Sequence, residues 1–189
     1  MRKGETGVSL VDMMLVVAVM AVLMAGAVPQ LNDVAGAMKL GSALRDVERE
    51  LQTARLKAVT SNRPIRVSFN CPTTGQFRMV ELIGTTTTPD SADSASNRCS
   101  ESAYPATPAD DNPLTRPNHD GPIRRLDPTV SFGSASTIEF WPDGSAHQNS
   151  NGSNPWPLVP SSGTAITLVR DEEVRTITVN SLGKIQIQQ

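Results

Sequence analysis

Residues 8–28, VSLVDMMLVVAVMAVLMAGAV, form a run of 21 residues that carries a single charge, Asp12. As a helix this run extends about 31 Å at 1.5 Å per residue, close to the hydrocarbon thickness of a bilayer. Seven polar residues precede it, MRKGETG, in which Arg2 and Lys3 outweigh Glu5. A basic flank on that side predicts a cytoplasmic N-terminus and export of everything that follows. A cleaved signal peptide, with Ala25-Gly26-Ala27 as its small residues, and a plain anchor both fit the length. A buried core helix fits poorly, because a chain of 189 residues has little to bury it with. Asp12 separates these readings. A carboxylate inside a bilayer costs about 2.5–3.5 kcal/mol on insertion scales and calls for a partner. Neither a signal peptide nor an anchor needs one, whereas cleavage after Gly7 would create an α-amino group four residues upstream, a cation for a neighbouring copy.

The rest of the chain is a different material. Apolar residues make up 38% of the whole and aromatics 4%, with 13 Gly and 14 Pro, so a large aromatic-rich enzyme core is excluded. The formal net charge of −2 shows no polybasic character. Two cysteines cannot build a Cys-rich zinc site. Leu40, Leu44, Val47, Leu51, Ala54 and Ala58 recur at helical spacing, which predicts an amphipathic helix over 31–63. Arg45, Asp46, Glu48, Arg49, Glu50 and Arg55 fall mostly on other faces and read as a solvated surface. Asn62-Arg63-Pro64 stops the helix, since the residue before proline resists the α conformation.

Ile65, Val67 and Phe69 alternate with Arg66, Ser68 and Asn70 as a half-buried strand, and 76–83 is a second, paired through the turn at 72–75. Residues 84–122 hold six prolines and eleven Ser or Thr, few large apolar side chains, and read as a long surface loop that cannot nucleate a core. A loop of that size signals either function or a tolerated insertion. Short strands return at 130–132, 137–141, 165–170, 174–179 and 185–187, with a second polar loop at 147–163.

Gly7-Val8-Ser9-Leu10-Val11-Asp12, with the basic leader and the apolar run, resembles the signal of type IV prepilins and type II secretion pseudopilins. The resemblance implies cleavage between Gly7 and Val8 by a prepilin peptidase, N-methylation of Val8, and an assembly role for Asp12 at the fifth mature position. It also places Pro29 where the family loosens its helix. Val8 stands where Phe is usual, and Asp12 where Glu is, one methylene shorter. The series Leu51–Val59, Ile138-Glu139-Phe140-Trp141-Pro142-Asp143-Gly144, Ile166-Thr167-Leu168 and Arg175–Ile185 resembles the GspH/FimT branch of minor pseudopilins and minor pilins.

No catalytic constellation is present: no HExxH, Gly-rich phosphate loop or nucleophile elbow. His119 and His147, the two histidines, lie in loops. Asp110, Asp111 and Asp120 could collect a hard cation, but a solvated acidic loop outweighs that reading. Neither a cofactor nor a metal is expected. Cys71 and Cys99, once exported, either pair or remain thiols; pairing would close a loop of about 29 residues and contribute about 3–4 kcal/mol on the chain-entropy model.

The expectation is an α+β, pilin-like chain in which a long N-terminal helix, apolar in its first half and amphipathic in its second, packs on antiparallel sheet. Its divisions are a leader at 1–7, a transmembrane and filament-core helix at 8–30, the amphipathic helix at 31–63 and an exported β domain at 64–189. The implied function is structural: a minor subunit of a type II secretion pseudopilus or type IV pilus, held in the inner membrane with the C-terminal domain periplasmic or extracellular until assembly. Implied partners are other pilin or pseudopilin subunits, the peptidase, an inner-membrane assembly platform and, before assembly, membrane lipid. The alternatives are a membrane-anchored binding module without filament role and a DNA-binding minor pilin. For the latter, the branch's Gly-Arg-x-Arg pattern matches only Gly183-Lys184-Ile185-Gln186. Arg124 and Arg125 are the other candidate phosphate contacts. Loss of Arg2, Lys3 and Glu5 on cleavage leaves 15 basic and 18 acidic residues, a net −3 that argues against strong nucleic-acid binding.

Overall fold

The six apolar residues spaced along one helical face, Leu40, Leu44, Val47, Leu51, Ala54 and Ala58, are all buried, and Ala43 joins them. They belong to helix α1, Leu10–Ser61. The helix stops where the sequence predicts. Asn62 turns into the left-handed region (φ 53°), the Arg63 amide donates back to the Ala58 carbonyl at 3.2 Å, and Pro64 follows. The computed structural model describes residues 9–106, 117–149, 152 and 154–188, without the side chains at 25–33.

Two units divide the chain, Met1–Met38 and Lys39–Gln189. In the first, the described side chains of α1 up to Met24 are exposed. Asp12 lies in the first turn, where the helix dipole favours an anion. Among the described residues no helix is long and apolar enough to cross a membrane.

In the second unit the strands, in chain order, are β1 Ile65–Phe69, β2 Gln76–Glu81, β3 Arg124–Arg125, β4 Ser131–Ser134, β5 Ile138–Phe140, β6 Ala146–Gln148, β7 Thr164–Arg170, β8 Glu173–Val179 and β9 Ile185–Gln188. They make two antiparallel sheets ordered β3-β2-β1-β5-β6 and β4-β7-β8-β9. The fold is α+β, with the amphipathic part of α1 packed on antiparallel sheet. Ile65, Val67, Ile138 and Phe140 of the first sheet and Ile166, Leu168, Ile177 and Val179 of the second share one core with the helix stripe. Phe132 of β4 ties the sheets together, its ring centroid 5.1 Å from Phe69 and 5.8 Å from Phe77. Strands β3 and β6, two and three residues long, were not expected; segments so short carry no readable alternation.

The far face of the first sheet departs from the sequence reading. Arg66, expected on a wet face, is buried, and so is Arg78 on the neighbouring strand β2, where it pairs opposite Ser68, two residues along from Arg66. Residues of the 84–122 segment lie over them. Arg66 pairs with Glu139 at 2.6 Å and donates to the Asp93 carbonyl at 3.2 Å. Arg78 donates to the carbonyls of Gly121 (2.5 Å), Cys99 (3.3 Å) and Tyr104 (2.7 Å). Arg98 grips both oxygens of Asp120, whose Oδ1 also accepts the Glu81 amide at 2.7 Å. Asp93 accepts amides from Ile83, Gly84 and Asp90, closing the 3₁₀ turn Ser91–Ser94 onto the end of β2. Guanidinium groups bonded to carbonyls of its described residues hold the segment against the sheet. Cys71, just after β1, is joined to Cys99 with the Cα atoms 5.6 Å apart.

Removing a buried charge leaves its partners unsatisfied, which costs about 3–5 kcal/mol. Arg78→Ala is therefore expected to lower unfolding stability by that amount and to open residues 84–106 to limited proteolysis, both readable by urea denaturation and protease mapping.

Candidate functional site

Three segments distant in sequence meet at Arg55 on the exposed side of α1. Its Nε donates to the Gly144 carbonyl and its Nη2 to the Leu182 carbonyl, each at 3.0 Å. Gly144 belongs to the β5–β6 turn, where its amide donates to the Trp141 carbonyl at 2.8 Å. Leu182 belongs to the β8–β9 turn, which Asn180 organises by accepting the amides of Leu182 (3.1 Å) and Lys184 (2.9 Å). The turns also touch directly: the Ala146 amide donates to the Ser181 carbonyl at 2.9 Å. Gly183 has φ 68°, and a Cβ there would stand 2.2 Å from the Gly144 carbonyl oxygen and 2.7 Å from Arg55 Nε. No residue with a side chain fits so close an approach. One guanidinium thus fastens a turn from each sheet to the helix.

The sequence pattern alone places Arg55 on a solvated face, whereas its guanidinium is bonded to two turns. The signal that could have found it is its place beside Ala54 and Ala58, small residues that let the backbone of the sheets come near.

The expected site residues are scattered. Gly7 and Val8 lie outside the described residues, as does the side chain of Pro29, whose backbone position falls within α1. Asp12 is exposed. Arg124 and Arg125 form β3 at the edge of the first sheet, paired with Phe77 and Gln76. Lys184 sits in the β8–β9 turn of the other sheet, so the three cations do not make one patch. Arg124 is engaged by Glu50 at 3.3 Å, and Arg49 beside it by Asp46 at 2.6 Å. Burial pushes the Glu50 carboxyl above its ordinary range, and Arg124 pulls it only partly back. Its Oε1 accepts no hydrogen bond among the described residues.

His147 is buried. Its ring stacks on Trp141 at 3.6 Å between centroids, with Nδ1 2.8 Å from the Trp156 carbonyl and Nε2 2.9 Å from Ser145 Oγ. Ser145 Oγ donates to Asp143 at 2.5 Å, and this bond with the Ser145 amide holds the Asp143 carboxyl below the usual carboxylate range. The hydroxyl lies between acid and imidazole rather than at the end of a relay, so the trio does not activate a nucleophile. Asp110 and Asp111 lie outside the described residues. Asp120 is consumed by Arg98 and the Glu81 amide. Among the described residues no group of three or more His, Cys, Asp or Glu could hold a metal ion.

A family model described as Type II transport protein GspH matches residues 43–183, the stretch that holds Arg55 and both turns it fastens. No curated protein matches the chain. Two crystal structures of the type IV minor pilin FimU of Pseudomonas aeruginosa are similar to it. One shares 16% identity at a TM-score of 0.45, covering 79% of this chain and 93% of FimU. The other shares 15% at 0.47, covering 81% and 90%.

A side chain at a left-handed, crowded position costs about 1–3 kcal/mol. Gly183→Ala is expected to destabilise the protein by at least that much, measured by urea unfolding, because Gly144 and Arg55 must also move. Glu50 carries a second expectation. The folded protein holds a proton that the unfolded chain releases, so stability falls as pH rises above the ordinary carboxylate range. Glu50→Gln removes that loss. Relative to the parent, the variant is expected to gain stability as pH rises above the ordinary carboxylate range, and parallel pH profiles would refute the assignment.

Proposed function

The chain belongs to the GspH family, and from that premise we propose how this minor pilin-type structural subunit is processed and assembled. The protein is not an enzyme. Its work is to associate with other pilin-type subunits. The leader is removed between Gly7 and Val8, Val8 is methylated, and the apolar helix waits in the inner membrane with the β-rich unit on the far side. Assembly then carries that helix into the core of a type II secretion pseudopilus or a type IV pilus.

The observation that carries this reading is a single acid, Asp12, in an otherwise uncharged run of 21 residues, five positions after a glycine and a basic leader. Within a filament core the carboxylate would meet the α-amino group of a mature N-terminus, its own or a neighbour's. In a low-dielectric setting an unpaired charge is expensive and a paired one specifies register. The apolar side chains from Leu10 to Met24, exposed in this chain alone, would then be covered by the helices of other subunits. DNA binding is disfavoured by the net charge and by the separation of Lys184 from an Arg124 already engaged by Glu50.

Asp12→Ala is expected to leave export intact and to reduce incorporation into sheared filaments; normal incorporation would remove the ion pair from the account. Gly7→Leu is expected to block maturation, and N-terminal sequencing of the wild-type subunit should begin at Val8. A mature chain beginning elsewhere would refute the cut.

A further inference from the structure

Within Lys39–Gln189, the exposed large apolar side chains among the described residues are Leu56, Val59, Leu158, Val174 and Leu182. Three of the five gather at one place. A groove of about 480 Å³ runs between α1 and the β8–β9 turn, walled by Leu56, Val59 and Ile185 and flanked by Arg55 and Lys184. Leu182, the most exposed of the set at 73%, adjoins its Gly183 wall. Arg55 is already committed to two carbonyls. The Lys184 ammonium, by contrast, meets no carboxylate within ion-pair distance among the described residues, so it is the groove's available charge.

The opposite end of β8 carries the complement. There β7 turns into β8 through Asp171 and Glu172, both exposed, with Asp171 at φ 53° making the tight corner. Asp171 is paired with Arg170 at 3.4 Å and Glu173 with Arg175 at 2.6 Å. The Glu172 carboxylate has no ion pair among the described residues, and Val174, 54% exposed, stands two residues on. One end of the second sheet therefore presents an apolar side chain beside a free anion. The other presents an apolar groove beside a free cation.

We propose that the β7–β8 tip of one copy docks into the α1/β9 groove of a second copy, with Val174 against Leu56 and Val59 and the Glu172 carboxylate against the Lys184 ammonium. Because β8 runs from the tip to the groove, the two surfaces lie at opposite ends of one sheet and the contact is head to tail. A heterologous contact of this kind leaves a free tip and a free groove in a pair of copies, so it extends to further copies, as an open array or a ring, instead of closing as a two-fold symmetric dimer. Burial of the apolar side chains drives the contact, while the charge pair sets its register. The contact lies wholly within the β-rich unit and goes beyond the filament reading, since it needs neither Asp12 nor cleavage.

The test is disulfide trapping in detergent micelles between variants of the full chain that each carry one added cysteine, the native pair Cys71 and Cys99 being joined to each other. A mixture of Val174→Cys and Leu182→Cys chains is expected to form a heterodimer faster than either alone, and faster than Leu182→Cys mixed with the exposed control Asn97→Cys. Adding Lys184→Glu or Glu172→Lys should slow trapping by about two- to fivefold, the range of an exposed ion pair, and the exchange of both charges should restore it. Trapping no faster than the control, or charge exchange without rescue, overturns the proposal. Asp12→Ala separates the two readings: trapping is expected to persist in that background, and its loss would show that the contact only follows helix packing and overturn the claim of an independent surface.

Discussion

One apolar stripe, Leu40 to Ala58, is the wall that both sheets share, and everything in the second unit is arranged from it. Every third or fourth side chain is buried, and the smallest come last: Ala54 and Ala58 sit where the turns of both sheets draw close to the helix. Small residues at that end leave room for backbone, and the backbone that arrives is held by Arg55. A bulkier stripe would push the Gly144 and Leu182 carbonyls out of reach of its guanidinium. Packing and hydrogen bonding here are one constraint, set by side-chain volume on a single helical face.

The same economy of apolar material explains the far side of the first sheet. A chain with few aromatics and a long Ser/Thr/Pro segment has no hydrophobic means of covering a second sheet face. Arg66, Arg78 and Arg98 provide another, because a planar guanidinium can bond several carbonyls in fixed directions while its charge is balanced by Glu139 or Asp120. Such burial is costly unless every partner is satisfied. The carbonyls of Cys99, Tyr104 and Gly121 meet that condition for Arg78, so the polar segment becomes a fitted cover for the sheet.

Function follows from the contrast between the units. The second satisfies most of its buried guanidinium and carboxylate groups internally and presents short turns and the groove beside Lys184. The first, over its described side chains, exposes a continuous apolar helix with one acid, which alone in water is an unsolved folding problem. In the proposed assembly other pilin-type subunits would provide the missing surface. The groove and tip at the two ends of β8 extend that logic from helix to sheet.

By itself the sequence determined the helix, its stop at Asn62-Arg63-Pro64, the hairpin read at 65–83 and the strands read from 165 onward, to within a residue or two at their ends, because each is written in local periodicity and turn chemistry. The family resemblance was legible for the same reason: its motifs are local. Only the tertiary structure decided that Arg66 faces a cover rather than water, that Arg55 joins two turns 38 positions apart, and that Lys184 and Arg124 serve different surfaces. A guanidinium on a strand or helix looks identical in sequence whether it meets solvent or a carbonyl contributed from tens of residues away. What distinguishes the two is the path of the intervening chain, and that path is fixed by contacts no single segment contains.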